Sequence, residues 1–128
     1  MEQLLQKTKH SFSIMNTKER PYLKWLSEGI KTAEGRVNAE KYQNITIGEY
    51  VLFHYEDEYI YGTVKFKHEY SSFREMLLNE GVPNMLPFLK NDEINKAVEV
   101  YNAFPGSERV KIYGCVAIGI DIVESHLN

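Results

Sequence analysis

Two long runs of β-branched and aromatic residues limit what this 128-residue chain can fold into. In residues 59–70, YIYGTVKFKHEY, Val64, Phe66 and His68 alternate with Lys65 and Lys67. A period of two puts unlike side chains on opposite faces, which predicts a strand. Residues 110–123, VKIYGCVAIGIDIV, are apolar almost throughout. They predict a second long strand, with Gly114 and Gly119 at bulges or close backbone approaches. The stretch between the two reads as helix. Ser72 stands three residues before Glu75 and ahead of Met76, Leu77 and Leu78, the spacing of a capping box. Asn91 or Asp92 can cap a further helix with Ile94, Val98 and Tyr101 on its inner stripe, ended by Phe104-Pro105-Gly106. Strands that flank a helical block do not alternate regularly with helices, so the pattern does not read as a doubly wound parallel sheet.

The first half of the chain adds shorter elements. Residues 1–9 predict a short helix or a frayed end, and residues 10–15, HSFSIM, a strand. Asn16 or Thr17 can cap a helix in which Tyr22, Leu23, Leu26 and Ile30 recur at helical spacing, with Trp25 beside them and Gly29 as terminator. Residues 31–37, KTAEGRV, predict a short strand. After Gly48, Val51, Phe53 and Tyr55 alternate with Leu52 and His54 in another, and the acidic tip Glu56-Asp57-Glu58 turns the chain back. The segment GVPNMLPFLK, broken by Pro83 and Pro87, is a loop or short helical turn. The order is β-α-β-β-β-α-α-β, which predicts an α+β fold with a small curved sheet or barrel of antiparallel strands. A monomer of this size buries roughly 68% of its unfolded surface. That suffices for one core, so a single domain over residues 1–128 is expected, with its core at about 10–122.

Composition removes several function classes. The net charge of −3 is unlike a dedicated duplex-binding module, although residues 1–40 carry seven basic and five acidic side chains. Cys115 is the sole cysteine, so neither an internal disulfide nor a cysteine-based zinc cluster can form. His10, His54, His68 and His126 show no metal-ligand spacing, and no metal or cofactor is expected. No apolar run is long enough to span a bilayer, and MEQLLQKTKH lacks the apolar stretch of a signal peptide. A cytoplasmic address is expected, with the nucleus as the alternative and no membrane partner. The sequence leaves the oligomeric state open.

The densest polar cluster is Lys31-Thr32-Ala33-Glu34-Gly35-Arg36, directly after Gly29. On a strand Glu34 and Arg36 share a face, and Lys31 joins them only if the strand begins after Thr32 or is bulged. A carboxylate between two cations stays ionised, and an arginine fork can hold a phosphate or the acceptor edge of a base. An ordinary surface ion pair worth at most about 1 kcal/mol accounts for the same residues. Among the tyrosines, Tyr55, Tyr61 and Tyr113 are candidates to stack on a base, against barrel-wall packing. Trp25 reads as a core anchor and Cys115 as a buried, inert thiol.

Residues 29–36, GIKTAEGR, resemble the G-x-K-x-x-E-x-R signature of the activating-signal-cointegrator homology (ASCH) domains of the PUA-like folds. The resemblance extends through Gly48-Glu49-Tyr50-Val51-Leu52-Phe53, the SSFREMLLNEG helix, residues 101–106 and Tyr113-Gly114-Cys115-Val116-Ala117-Ile118. It implies a small PUA-like β-barrel decorated by helices, with a cleft lined by Lys31, Glu34 and Arg36. Its implied ligand is single-stranded RNA or a nucleoside- or nucleotide-like molecule. One bacterial branch of the family hydrolyses the acetyl amide of N4-acetylcytidine with a Lys, a Thr and a Glu. Lys31 matches that lysine, and Phe104-Pro105-Gly106 resembles its aromatic-Pro-Gly. Glu34 stands where the threonine falls, Thr32 is two positions away, and Glu80 is the candidate for the glutamate. The alternatives to a binding cleft are therefore an amidohydrolase of an acylated nucleoside, with Lys31 and Glu34 catalytic, and a protein-interaction adaptor.

Overall fold

The computed structural model describes residues 6–128. The helix or frayed end expected over residues 1–9 lies mostly outside them, and Thr8 already belongs to the first strand. Five strands form one sheet in the order β1-β3-β4-β5-β2: β1 Thr8–Ser13, β2 Glu34–Val37, β3 Tyr50–Tyr55, β4 Glu58–Tyr70 and β5 Cys115–His126. The sheet curls into a half-barrel and carries six helices among the described residues. These are α1 Tyr22–Ser27, α2 Glu40–Gln43, α3 Phe73–Glu80, α4 Val82–Met85, α5 Ile94–Asn102 and α6 Val110–Tyr113. The expected α+β architecture holds.

The two long runs pair with each other. β4 and β5 form an antiparallel ladder from Tyr59↔His126 to Tyr70↔Cys115, broken by irregularities at Tyr61/Gly62 and Val64/Phe66. At the second break Lys65 has no partner and Phe66 lies opposite Gly119. The bulge turns Lys67 toward the loop after α2, where its Nζ donates to the carbonyls of Gln43 and Ile45, both at 3.1 Å. β3 pairs antiparallel with β4, and β2 with the far side of β5.

Three expectations need correction. β1 pairs with β3 in parallel, not antiparallel. The chain between them contains α1, β2 and α2, which is long enough for the crossover that a parallel pair requires. Residues 110–113 are helical rather than the start of the last strand. Gly114, at φ 69°, separates α6 from β5, and a Cβ there would collide with the Tyr70 carbonyl. The four-residue helix α2 was not foreseen at all.

Capping follows the sequence only at α3: Asn91 and Asp92 lie in a 3-10 turn ahead of α5, whose N-cap is Glu93, and the N-cap of α1 is Pro21 rather than Asn16 or Thr17. Ser72 Oγ accepts the Glu75 N–H at 3.1 Å at the start of α3. Asn16 Oδ1 reaches seven residues forward to accept the Leu23 N–H of α1 at 3.1 Å. Phe12, Val51, Phe53, Ile60 and Val64 from the sheet meet Leu23, Phe73, Met76, Leu77 and Tyr101 from the helices in one core cluster. Helix α3 packs on β4 and β5 and against α4 and α5, so this layer of helices stands over the β4–β5 strands. Among the described residues no helix is long and apolar enough to cross a membrane.

Candidate functional site

The site begins where α1 ends. Gly29 takes φ 73° and the Lys31 N–H donates to the Trp25 carbonyl at 3.0 Å, which folds Lys31 back toward the helix. Residues 31–33 precede the strand, and the Thr32 N–H is held by the Asn84 carbonyl at 2.8 Å. This late start brings Lys31 to the same side as Glu34, as a strand beginning after Thr32 would require. Lys31 Nζ lies 3.5 Å from Glu34 Oε1 and donates to the Met85 carbonyl at 2.5 Å. Arg36, two residues along β2, donates to Glu34 Oε2 from Nε at 3.1 Å and from Nη2 at 2.9 Å. Its Nη1 reaches Tyr42 Oη at 3.2 Å and its Nη2 the Ser13 carbonyl at 2.7 Å. Glu34 therefore sits between two cations, with one carboxylate oxygen for each.

Burial decides the electrostatics. Lys31 is 1% exposed and Glu34 8%. Burial lowers the Lys31 pKa from its ordinary value, and the neighbouring Glu34 carboxylate offsets part of that. Burial also opposes the charge on Arg36, but Glu34 and Tyr42 outweigh it and hold its pKa up. The surface ion pair that the spacing allowed is in fact a buried one.

Lys31, Glu34 and Arg36 line a cleft with a cavity of about 210 Å³. Its walls are aromatic: Tyr22 from α1, Tyr42 from α2, Phe73 from α3, Tyr101 from α5 and Phe104 after it. Phe73 stacks on Tyr101 with centroids 5.2 Å apart, and Phe104 meets Tyr101 edge-on at 5.7 Å. Arg109 also lines the cleft. It is exposed, with Nε donating to the Gly106 carbonyl at 3.1 Å. Burial pushes the Tyr22 hydroxyl pKa up and the Tyr101 hydroxyl well up, so both phenols stay protonated.

Other sequence candidates lie elsewhere. Thr32 is exposed and does not line the cleft. Glu80 is not in it either: it accepts from the Tyr70 hydroxyl and pairs with His68 Nδ1 at 2.7 Å. Neither Tyr55, Tyr61 nor Tyr113 lines the cavity. Trp25 anchors α1 between Tyr22 and Phe88. Cys115 is fully buried, and burial raises its thiol pKa to about 12. Among the described residues no three His, Cys, Asp or Glu side chains gather as metal ligands. The aromatic walls are what sequence reasoning missed, because Tyr22 and Tyr101 sit on apolar helix stripes and read as core. The available signal was a hydroxyl on each stripe, since a buried phenol needs a partner for its polar end.

A mixed half-barrel carrying helices of this kind places the chain in the PUA-like α+β class. The ASCH domain model matches residues 17–124, and the chain belongs to that family. Two solved structures are similar over nearly their whole length. The crystal structure of hypothetical protein PH0355 is 36% identical with a TM-score of 0.74, covering 89% of this chain and 98% of that one. The solution structure of protein PF0455 from Pyrococcus furiosus is 34% identical with a TM-score of 0.67, covering 89% and 96%. No curated protein matches the chain.

Proposed function

We propose that the chain binds single-stranded RNA or a nucleotide-like ligand in the cleft above Lys31, Glu34 and Arg36. The observation that carries this reading is the wall: five aromatic rings surround one small cavity over a charged floor. Stacking a base on an aromatic side chain contributes about 1–3 kcal/mol and tolerates any base, because every base has a π-face. Family membership supports the same reading. The geometry favours binding over amide hydrolysis. The position of the threonine in the hydrolysing branch is Glu34, Thr32 is outside the cleft, and Lys31 Nζ is committed to Glu34 and the Met85 carbonyl.

Charge sets the expected strength. The chain is net negative, and the floor cations are matched to Glu34, which leaves Arg109 as the exposed cation lining the cleft. Neutralising one or two phosphates gives a slope of log affinity against log salt of about −0.7 to −1.4 for a single strand. Fluorescence anisotropy with a short mixed-sequence RNA between 50 and 200 mM salt (roughly the range over which counterion release is read) checks this. Arg109→Ala is expected to weaken binding and flatten the slope. Lys96→Ala, an exposed lysine paired with Glu93 at 3.2 Å, is expected to leave both unchanged. If both variants bind like the parent, the cleft is not the RNA site.

A further inference from the structure

The charged groups of the floor are largely committed to one another. Arg36 places Nε, Nη1 and Nη2 on Glu34, Tyr42 and the Ser13 carbonyl in four hydrogen bonds. A guanidinium has five N–H donors, so one remains. Both Glu34 oxygens face cations, and Lys31 is buried against Glu34 and the Met85 carbonyl. A phosphate entering here would have to break these pairs. It would also bring a second anion beside Glu34.

Tyr101 is differently placed. The residue is 3% exposed and its ring is fixed by Phe73 on one face and the edge of Phe104. Among the described residues its hydroxyl makes no hydrogen bond and, unlike the fully buried Tyr22 hydroxyl, it is not sealed from the cavity it lines. It descends onto β2 at Gly35: a Cβ on Gly35 would lie 2.8 Å from Tyr101 Oη. The hydroxyl thus stands against the Gly35 face of β2, where only a glycine leaves room. A polar group held this rigidly, with no partner in the protein and open to the cavity, is positioned to hydrogen bond with whatever enters. Its ring packing would be served equally by phenylalanine.

Size narrows what such a group can meet. An apolar cavity of about 150 Å³ accepts a benzene ring, whereas drug-sized ligands occupy pockets of roughly 300–1,000 Å³. The cavity of about 210 Å³ fits one heterocyclic ring with its substituents, and the rest of a nucleotide must lie outside.

We propose that Tyr101 Oη is the group that reads the ligand, hydrogen bonding to the polar edge of a single uncharged planar heterocycle, while Lys31, Glu34 and Arg36 shape the floor. The inference rests on the nucleotide-binding reading above and names the part of the nucleotide that enters. The heterocycle lies among the rings and its sugar and phosphate point out toward Arg109.

The test titrates the intact protein with the four ribonucleosides, their 5′-monophosphates, ribose 5-phosphate and inorganic phosphate, by calorimetry or NMR shifts. At least one nucleoside is expected to bind within a few fold of its monophosphate, and the two base-free phosphates not to bind. Tyr101→Phe is expected to keep the parent's melting temperature or exceed it and to lose about tenfold in nucleoside affinity, the worth of one hydrogen bond. Tyr59→Phe, whose hydroxyl donates to Glu124 at 2.8 Å away from the cleft, serves as the control and keeps full affinity. Nucleoside affinity unchanged in a folded Tyr101→Phe overturns the proposal. So does ribose 5-phosphate binding as tightly as a monophosphate, which would leave the nucleotide reading standing with the phosphate inside. Absence of binding by every nucleoside, monophosphate and short RNA overturns both.

Discussion

At the scale of single residues, the site is organised by Glu34. It offers Oε1 to Lys31 and Oε2 to Arg36, so three formal charges share one small volume with little water. Removing one partner of such a buried pair typically costs about 3–5 kcal/mol, because the other charge is left uncompensated. The residue types were legible in the sequence: Lys31, Glu34 and Arg36 stood out by spacing and by resemblance to the family signature. What was not legible is how their bonds are spent, since the partners Ser13, Tyr42 and Met85 lie 6 to 54 positions away. Cys115 shows the opposite case, a residue whose setting the apolar strand announced. Its thiol keeps its proton up to about pH 12 in the folded chain, whereas the unfolded thiol ionises near 9. Between those values the native state holds a proton that the unfolded state has lost. Stability from this group is therefore intact below pH 9 and falls above it, by about 1.4 kcal/mol per pH unit at most. Urea unfolding at pH 8.5 to 10 is expected to show a steeper loss for the parent than for Cys115→Ala. Equal slopes would mean that the thiol is not desolvated.

At the scale of elements, the pattern of long strands was readable because period-two alternation survives over many residues, as in β4. Short elements were not. Residues 110–113, VKIY, look like strand by their β-branched content, yet they form α6 because the chain must break at Gly114 before entering β5. Likewise α2 is only Glu40–Gln43 and makes no buried stripe of its own, so no periodicity could reveal it. The element that carries the site, β2, is also short: Glu34–Val37, at the sheet edge, paired only with β5. Its contact with α5 passes through Gly35, where a Cβ would meet Tyr101 Oη at 2.8 Å and Met76 Cε at 2.9 Å. Overpacking of this kind typically costs about 1–3 kcal/mol. Gly35→Ala is expected to lower the denaturant midpoint accordingly. In the Tyr101→Phe background part of the loss should be recovered, since the hydroxyl is gone but the methionine methyl remains. A double-mutant cycle reads this directly. Strict additivity would show that α5 does not press on β2.

At the scale of the whole molecule, a half-barrel has two sheet edges, and here β1 and β2 are those edges. No backbone ladder joins them. The Arg36 side chain does, reaching from β2 to the Ser13 carbonyl at the end of β1 at 2.7 Å and to Tyr42 beside it. Phe12 of β1 stacks on Tyr42 with centroids 4.8 Å apart, so the bridge continues into the core. The seam and the cleft are therefore one structure: the arginine that frames the floor also holds the open side of the sheet. Arg36→Lys separates the two parts of this role. Lysine keeps a charge for Glu34 but offers a point donor on a flexible stem, which cannot serve Glu34, Tyr42 and Ser13 together. The global loss is expected to be about 2–3 kcal/mol, the range for a few hydrogen bonds to a charged group at a partly exposed position. The more telling readout is local. Edge elements with few tertiary ties open before the whole chain unfolds. In native-state hydrogen exchange, amides of β1 are expected to lose protection in Arg36→Lys by more than the global destabilisation explains. Amides of β4, the central strand and the one farthest from both edges, should change only by the global amount. If β1 and β4 lose protection equally, Arg36 stabilises the fold as a whole, and the two edges are held by packing rather than by this side chain.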